Sequence, residues 1–276
     1  MRCTVQLHDD LADFNQAPPL PNALRYKELT GDCHVQDMPL ASESALAISY
    51  NGISQAVMMV TPGHMEDFVR GFSLSTGIVK SFSEIRDIQI SGDGESHYAE
   101  VEISNRAFWQ MKTQRRNLAG TTGCGICGVE ALEQALPDLM PLTPYPAPNP
   151  LVFDGLRDKI AIHQQAAKTS GALHAALFAN AKGEIVLCRE DIGRHNALDK
   201  LIGALSLNDI DTKSGFAIMT SRCSLELIHK AVRAKVATLV CLSAPTSLTV
   251  EWARRNHLNL IHLPKNDSPR LYSPAP

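Results

Sequence analysis

Six prolines fall within fourteen residues near the middle of the chain, at positions 137, 141, 144, 146, 148 and 150. Proline fixes φ and removes a backbone donor, so this density excludes a helix or a central strand and favours an extended connector. The chain has 276 residues, which is enough for one large or two modest domains. We therefore predict a loosely ordered arm over 1–40, an α+β domain over 41–140, a Pro-rich connector over 141–150 and an α/β domain over 151–276.

Before the connector the sequence predicts two β-hairpins and a helix. Residues 45–50 and 53–60 are β-type runs that flank Asn51-Gly52, a strong hairpin signal. Residues 84–90 and 99–104 predict a second hairpin around the turn at 91–94. Helical spacing then predicts an apolar helix face, packed on the sheet, that carries Met65, Phe68, Val69 and Phe72.

After the connector, strands and helices alternate. A hairpin is predicted from 174–180 and 184–189, followed by a helix with an apolar stripe from Ala197 to Leu205. Strands at 216–220, 238–242 and 258–263 then alternate with helices at 225–234 and 247–255. This βαβαβ order predicts a parallel sheet covered by helices, and ligands of such sheets bind beyond the carboxyl ends of the strands. Those ends are Ser221-Arg222, Ser243-Ala244 and Pro264-Lys265.

Composition narrows the function classes. The formal net charge is −3, which offers no general attraction to nucleic acid or anionic membranes, so an anionic ligand needs a local basic cluster. Acidic residues near the start argue against a signal segment, and no apolar stretch is long enough to cross a membrane. Seven cysteines, an odd number in a chain with its own core, favour reduced thiols in the cytoplasm over a disulfide scaffold.

The run Thr121-Thr-Gly-Cys124-Gly-Ile-Cys127-Gly128 places two thiols three positions apart among glycines. We expect an exposed, mobile dithiol loop that leads into a short helix ending near Pro137. No acidic residue occurs from 103 to 129, whereas four basic residues do: Arg106, Lys112, Arg115 and Arg116. A positive field favours a thiolate, the form that attacks another sulfur or accepts sulfane sulfur.

Four interpretations of this loop remain open. Carriage of a persulfide is favoured. A zinc half-site would need two further ligands, and Cys188, Cys223 and Cys241 stand singly near predicted strands, where buried thiols are common. A thioredoxin-like redox pair would follow a βα crossover, whereas this pair follows a basic segment. A purely structural loop is disfavoured because exposed thiols add no packing.

Three stretches resemble the formate dehydrogenase accessory protein family, FdhD/NarQ. They are Leu118-Ala-Gly-Thr-Thr-Gly-Cys-Gly-Ile-Cys-Gly-Val-Glu130, Glu190-Asp-Ile-Gly-Arg-His-Asn-Ala-Leu-Asp-Lys200 and Ser243-Ala-Pro-Thr-Ser-Leu-Thr-Val-Glu251. Tyr50-Asn-Gly-Ile-Ser54 and Gly71-Phe-Ser-Leu-Ser75 are similar as well. The resemblance covers about residues 40 to 263 in the same order.

The resemblance implies a cytoplasmic sulfurtransferase with a cysteine persulfide intermediate. Such proteins take sulfur from a cysteine desulfurase and pass it to the molybdenum cofactor, in its bis(molybdopterin guanine dinucleotide) form, before that cofactor enters the formate dehydrogenase apo-enzyme. Cys124 matches the persulfide carrier, and Cys127 matches the second cysteine, which assists transfer or relays sulfur. The resemblance also implies a homodimer and a cytidine-deaminase-like second domain without deaminase chemistry, because the H-x-E zinc signature is missing. No permanently bound metal, nucleic acid or membrane partner is expected.

The family's guanine-dinucleotide segment has the form aromatic, any, basic, any, Gly, Arg. The aligned positions are Leu263, Pro264, Lys265, Asn266, Asp267 and Ser268, which keep only the basic residue. Arg270 is a candidate for the lost charge. We expect this segment to bind the cofactor, with contacts that differ from the family's pattern.

Several further residues have both a functional and a structural interpretation. Arg194 and His195 are candidates to meet phosphates or the metal oxo group, whereas Asp191 and Arg194 could simply fix their loop. His174 is expected to be a core or strand histidine. Ser221-Arg222 and Ser243, near strand ends, are candidates either to donate to phosphate or to cap the helices that follow. Lys112, Arg115 and Arg116, before the cysteines, are candidates either for a docking patch or for a solvated helix face.

The sequence therefore favours a sulfur carrier that holds persulfide sulfur on Cys124 and delivers it to the molybdenum cofactor. The alternative is a non-catalytic chaperone that holds the cofactor and binds metal through its cysteines. A thiol-disulfide oxidoreductase is the third possibility.

Overall fold

A computed structural model describes residues 23–29, 35–119 and 136–275. For residues 114–119 it describes the backbone alone. The predicted glycine-rich loop, with Cys124 and Cys127, lies outside the described residues, as does most of the predicted N-terminal arm.

The described chain alternates strands with helices. The strands are β1 Leu24–Lys27, β2 Val35–Met38, β3 Ser44–Tyr50, β4 Ile53–Val60, β5 Ile85–Asp93, β6 Ser96–Ile103, β7 His174–Asn180, β8 Ile185–Asp191, β9 Gly215–Met219, β10 Thr238–Cys241, β11 Asn259–His262 and β12 Arg270–Ser273. The α-helices are α1 Met65–Ser75, α2 Asn105–Ala119, α3 Leu156–His163, α4 Gln165–Ser170, α5 Arg194–Leu207, α6 Leu225–Arg233 and α7 Ser247–Arg255. Short 3-10 helices occupy Phe82–Glu84 and Pro150–Phe153.

The first half is built on a four-stranded sheet in the order β4-β3-β6-β5. The predicted hairpin is confirmed: Tyr50 pairs with Ile53, and both Asn51 and Gly52 have positive φ, as a two-residue turn of this kind requires. The second hairpin is confirmed too, although β5 continues through residues 91–93 and the turn lies at residues 94–95. The parallel pairing of β3 with β6 joins the two hairpins.

The second half is built on a six-stranded sheet in the order β12-β11-β10-β9-β7-β8. Strands β9, β10 and β11 are parallel, as predicted. The predicted hairpin β7–β8 extends this sheet by pairing antiparallel with β9, and the unpredicted β12 pairs antiparallel with β11. The molecule is therefore of the mixed α/β class.

Helices cover both faces of the six-stranded sheet. Helix α3 and the preceding 3-10 turn pack against one face through Phe153, Leu156 and Ile160. On the other face, one continuous core joins the two halves of the chain, with Leu46 and Phe68 in the same cluster as residues of α5, α6 and β11. The division into two domains stays a prediction.

Residues 137–149 form neither helix nor strand, as the proline density predicted. Within the segment predicted as an arm, β1 and β2 pair as a two-stranded antiparallel ribbon. No helix in the part of the chain that the structure describes has the length and hydrophobicity needed to cross a bilayer.

Helices α1 and α5 approach each other closely because each carries a glycine at the crossing. A Cβ at Gly71 would overlap the carbonyl oxygen of Asp199, and one at Gly203 would overlap the carbonyl oxygen of Asp67. This contact holds the first sheet in place against the loop that precedes α5.

Candidate functional site

Four strands end at the same edge of the six-stranded sheet. Strand β8 ends at Asp191, and β9, β10 and β11 end at the same edge of the sheet because all four strands run in the same direction. Strand β7 begins at this edge: His174 pairs with Asp191, and the Ala175 N–H donates to Thr220 Oγ1 at 2.9 Å. We call this the carboxyl edge. The sequence pattern had placed a ligand here, on the rule for open α/β sheets.

Asp191 is held by structural contacts. Its side chain accepts from Lys200 Nζ at 2.8 Å, from the Thr61 N–H at 3.0 Å and from the Gly193 N–H at 2.9 Å. Asn196 donates to both Asp191 Oδ1 and the Met59 carbonyl. These bonds fasten the loop before α5 to the turn after β4, so the structural interpretation of Asp191 is correct.

Two more acidic residues of the same stretch are also satisfied. Glu190 accepts from the N–H groups of Ala166 and Ala167 at the start of α4. Asp199 accepts from Lys230 Nζ at 2.8 Å and from Ser75 Oγ at 2.5 Å. Burial raises the pKa of Asp199, and the Lys230 ammonium opposes that shift. Asp199 therefore joins α5 to α1 and α6, whereas Glu190 fastens β8 to α4 within the second half.

Arg194 and His195 lie between these structural residues, at the start of α5. The Nε of Arg194 is buried and has no hydrogen-bond partner among the described residues. His195 Nε2 lies 3.1 Å from Ser224 Oγ and 3.2 Å from Glu226 Oε2. Burial lowers the pKa of His195 although Glu226 opposes the shift, so the imidazole is neutral at pH 7.

Two more basic groups complete this side of the carboxyl edge. His174, the first residue of β7, is half-buried, and Arg222 is exposed three residues beyond the end of β9. Burial lowers the pKa of His174, and the charges of Arg194 and Arg222 lower it further. We call Arg194, Arg222, His174 and His195 the basic cluster. His174 is a strand histidine, as predicted, but its ring lies within the field of both arginines.

The residues that precede α6 and α7 differ in whether they cap the helix. Thr246 caps α7 by accepting from the Thr249 N–H, so Ser243 is not the cap. Ser224 occupies the cap position of α6, but its side chain makes no capping bond and contacts His195 instead. Sequence reasoning missed Ser224 and Glu226, because only the fold brings α6 beside the start of α5.

The segment predicted to bind the cofactor lies on the other side of the carboxyl edge. Leu263 is buried and Pro264 is half-buried, whereas the remaining four positions are exposed, namely Lys265, Asn266, Asp267 and Ser268. Asp267 is ion-paired with Arg270 and also accepts from the Ser268 N–H. Arg270, the candidate substitute charge, is thus partly neutralised. Lys265 makes no hydrogen bond or ion pair with any described residue.

Arg157 fixes the start of this segment. From α3 it donates to the carbonyls of Leu242, Leu263 and Pro264, at 3.0, 2.5 and 3.1 Å. Burial lowers the pKa of Arg157, and no described carboxylate neutralises its charge. Sequence reasoning missed this residue, which lies about a hundred positions from its partners and carries no local signal.

The basic segment before the cysteines forms α2. Arg106 is paired with Glu84, with Nη2 to Oε1 at 2.7 Å, so one of the four predicted charges is already neutralised. The Lys112 ammonium lies 5.3 Å from the Phe108 ring centre and 5.0 Å from that of Trp109. Trp109 is 59% exposed. The side chains of Arg115 and Arg116 lie outside the described atoms.

Cys188, Cys223 and Cys241 are buried, as predicted. Burial raises the pKa of Cys188, and a hydrogen bond with Cys223, followed by burial, raises that of Cys241. No cluster of three or more metal-binding side chains occurs within the described ranges. Cys124 and Cys127, on which the zinc alternative depends, lie outside those ranges.

The profile of the FdhD/NarQ family matches residues 41–276. The chain belongs to the FdhD/NarQ family. It is 40% identical over 238 residues to the sulfur carrier protein FdhD of Bordetella bronchiseptica, covering 85% of each chain. It is 38% identical over 262 residues to that of Cupriavidus necator, covering 94% of this chain and 91% of the relative.

A solved structure supports the fold. A chain described as a formate dehydrogenase accessory protein, from Desulfotalea psychrophila, aligns with a TM-score of 0.69. It shares 20% identity, and the alignment covers 91% of this chain and 97% of that one. Membership of FdhD/NarQ places the chain among sulfur carrier proteins, and the resemblance read from the three sequence stretches is confirmed.

Proposed function

We propose that this FdhD/NarQ member carries sulfur as a persulfide on Cys124 and delivers it to the molybdenum cofactor held at the carboxyl edge. One observation carries the proposal: a member of a sulfur carrier family has two cysteines in a glycine-rich run without acidic neighbours from 103 to 129. Low-pKa, accessible thiols are the ones that exchange sulfur. The acceptor is proposed to be bis(molybdopterin guanine dinucleotide) destined for formate dehydrogenase.

In the loading step, the Cys124 thiolate attacks the outer sulfur of a persulfide on a cysteine desulfurase. The new S–S bond forms at Cys124, and the donor cysteine leaves as a thiolate. In the delivery step, Cys127 attacks Sγ of Cys124 and closes a disulfide, while the outer sulfur leaves as sulfide for the metal. The two electrons needed to reduce that sulfur come from the two thiols, and a dithiol reductant then resets the pair.

The carboxyl edge supplies the groups that a diphosphate-bearing cargo requires. Lys265 is exposed and unpaired, and Arg157 holds the backbone of its segment in place. The buried, unpartnered Nε of Arg194 fits an anionic group, because a guanidinium binds phosphate oxygens through paired N–H donors. The proposed site therefore lies on the same edge as the predicted segment from Leu263 to Ser268.

The persulfide is tested by mass spectrometry after incubation with a cysteine desulfurase and cysteine. We expect an adduct of about 32 Da, one sulfur atom, that is absent from Cys124→Ala. Cys127→Ser should load sulfur but release sulfide only when dithiothreitol is added. Cys188→Ala serves as the control, because that thiol is buried. An adduct that survives Cys124→Ala, or stoichiometric zinc with no adduct, would contradict the proposal.

The cargo site is tested separately by calorimetry with guanosine diphosphate. Lys265→Ala should weaken binding about tenfold, because it removes the one unpaired cation of its segment within the described chain. Unchanged affinity would move the nucleotide site away from this segment.

A further inference from the structure

The carboxyl edge carries two groups of positive charge that differ in position and in occupancy. One is the segment of Lys265 with Arg157 and Arg270, at β10, β11 and β12. The other is the basic cluster of Arg194, Arg222, His174 and His195, at β7, β8 and β9. The middle strands of the two groups, β11 and β7, lie three strand spacings apart in the sheet order, which corresponds to about 15 Å.

We propose that the basic cluster is a second anion subsite, which binds a diphosphate group of the cargo apart from the Lys265 segment. The inference rests on the proposed function for the identity of the cargo, but not for the presence of an anion site. It assigns Arg194 and Arg222 as the residues that contact the anion and Ser224 as a hydroxyl donor to it.

The first support is the elimination of other roles within the stretch from Glu190 to Lys200. Its remaining charged side chains have short, buried contacts: Glu190 with the α4 backbone, Asp191 with Lys200, and Asp199 with Lys230. Arg194 has no hydrogen bond to any described residue, and its Nε is shielded from solvent. A buried donor without a partner costs free energy, so an acceptor from a ligand is favoured at this position.

The second support is that the positive charge here is incompletely neutralised. Arg222 is exposed and has no ion pair among the described residues. Asp191 acts on His174, but it is already paired with Lys200. Glu226 also faces the cluster, and it lies against His195 with its side chain 58% exposed. Two arginines therefore face one exposed carboxylate that is not paired with a lysine.

The third support is the state of the two histidines. Burial and the neighbouring arginines keep both imidazoles neutral at pH 7, so they add hydrogen bonds without adding charge. His195 can orient Ser224 Oγ through the 3.1 Å contact. Arginine is the side chain that matches phosphate oxygens with paired donors, which favours a diphosphate over a carboxylate.

The test is calorimetric titration of the full chain with inorganic pyrophosphate, and with citrate as a carboxylate of similar charge. We expect Arg194→Gln and Arg222→Gln each to weaken pyrophosphate binding about tenfold, and the double variant to weaken it further. Glu226→Gln should strengthen binding a few-fold, because it removes the opposing charge. An effect of this sign cannot come from loss of folding.

Two controls separate this site from the rest of the protein. Lys213→Gln removes one exposed charge beside the opposite end of β9 and should leave pyrophosphate affinity unchanged. Lys265→Ala should weaken guanosine diphosphate while sparing pyrophosphate. Equal effects of Arg194→Gln and Lys213→Gln, equal affinity for citrate, or no pyrophosphate binding would overturn the inference. Persulfide formation on Cys124 is measured independently, so it can succeed while this inference fails.

Discussion

At the contact between α1 and α5, the Arg189 guanidinium lies 2.6 Å from Asp67, and Lys230 Nζ lies 2.8 Å from Asp199. At the carboxyl edge, Arg194 Nε has no hydrogen-bond partner in the described part of the chain, and Arg222 is exposed. In the first region the charges are buried in matched ion pairs. In the second, the two arginines have no ion-pair partner among the described residues and are available to a ligand. The difference separates residues that hold the fold from residues that meet a ligand, although both occur within one eleven-residue stretch, Glu190 to Lys200.

The largest expected effect is at the helix crossing. Gly71→Ala or Gly203→Ala should destabilise the protein by about 5 kcal/mol or more, because the added methyl overlaps backbone of the facing helix. Helix propensity alone predicts the opposite sign, a gain of about 1 kcal/mol. Denaturant unfolding decides between them. A stabilised Gly203→Ala would show that the helices can separate without cost.

The next effect tests the buried pairs. Lys230→Met leaves Asp199 charged and unpaired in the interior, which should cost about 3 to 5 kcal/mol. Adding Asp199→Leu to that variant should recover most of the loss, because a well-packed apolar pair replaces the ions. The free energies of unfolding of both single variants and the double variant measure the coupling. A loss in the double variant equal to the sum of the two single losses would show that the two groups are not coupled.

We expect acid to lower the free energy of unfolding through His229, whose pKa is lowered by burial. His229 packs against Trp252 with ring centres 4.8 Å apart, and its Nε2 has no hydrogen-bond partner among the described residues. Burial, with a smaller contribution from Arg233, lowers the pKa of His229 from 6.5 to about 4. The unfolded chain therefore binds the proton more readily, and stability should fall as the pH falls from 6.5 to about 4.

The pH effect is measured by unfolding at a series of pH values. His229→Phe should reduce the loss in that window, because it keeps the ring and removes one titrating group; His64, whose pKa is lowered to about 3, still contributes. His257→Asn, at an exposed position, is the control and should leave the slope unchanged. An unchanged slope in His229→Phe would assign the acid sensitivity to other groups.

The smallest expected effect on stability is at the carboxyl edge. Arg194→Gln and Arg222→Gln should change the free energy of unfolding by no more than about 0.5 kcal/mol, since neither side chain has an ion pair in the described chain. Asp191→Asn, three residues before Arg194, should cost several times more because it breaks the contact with buried Lys200. Comparable losses from Arg194→Gln and Asp191→Asn would remove the distinction between the two regions.

Much of the fold could be predicted from local signals. The Asn51-Gly52 turn, the apolar stripe of α1 and the alternation that gives β9, β10 and β11 all have the expected form. Helix α2 was not predicted, because its polar and basic residues give a weak apolar periodicity. Strand β12 was missed because four residues with mostly exposed side chains carry little pattern.

The candidate site could be predicted in place but not in detail. The topology rule located the carboxyl edge, and resemblance located the segment from Leu263 to Ser268. The roles of Asp191 and Arg194 could not be separated, because the decisive partner of Asp191 is Thr61, 130 positions earlier. Contacts over such separations leave no spacing in the sequence, and Arg157 was overlooked for the same reason.

The crossing of α1 over α5 also bears on how the chain acquires its structure during synthesis. Asp67 precedes its partner Arg189 by 122 positions, so α1 leaves the ribosome long before the surface that buries it exists. Contacts of this range slow folding and leave apolar surface open to aggregation in the meantime. A nascent first half therefore exposes Phe68 and its neighbours until α5 emerges, which makes it a candidate client for chaperones that bind nascent chains.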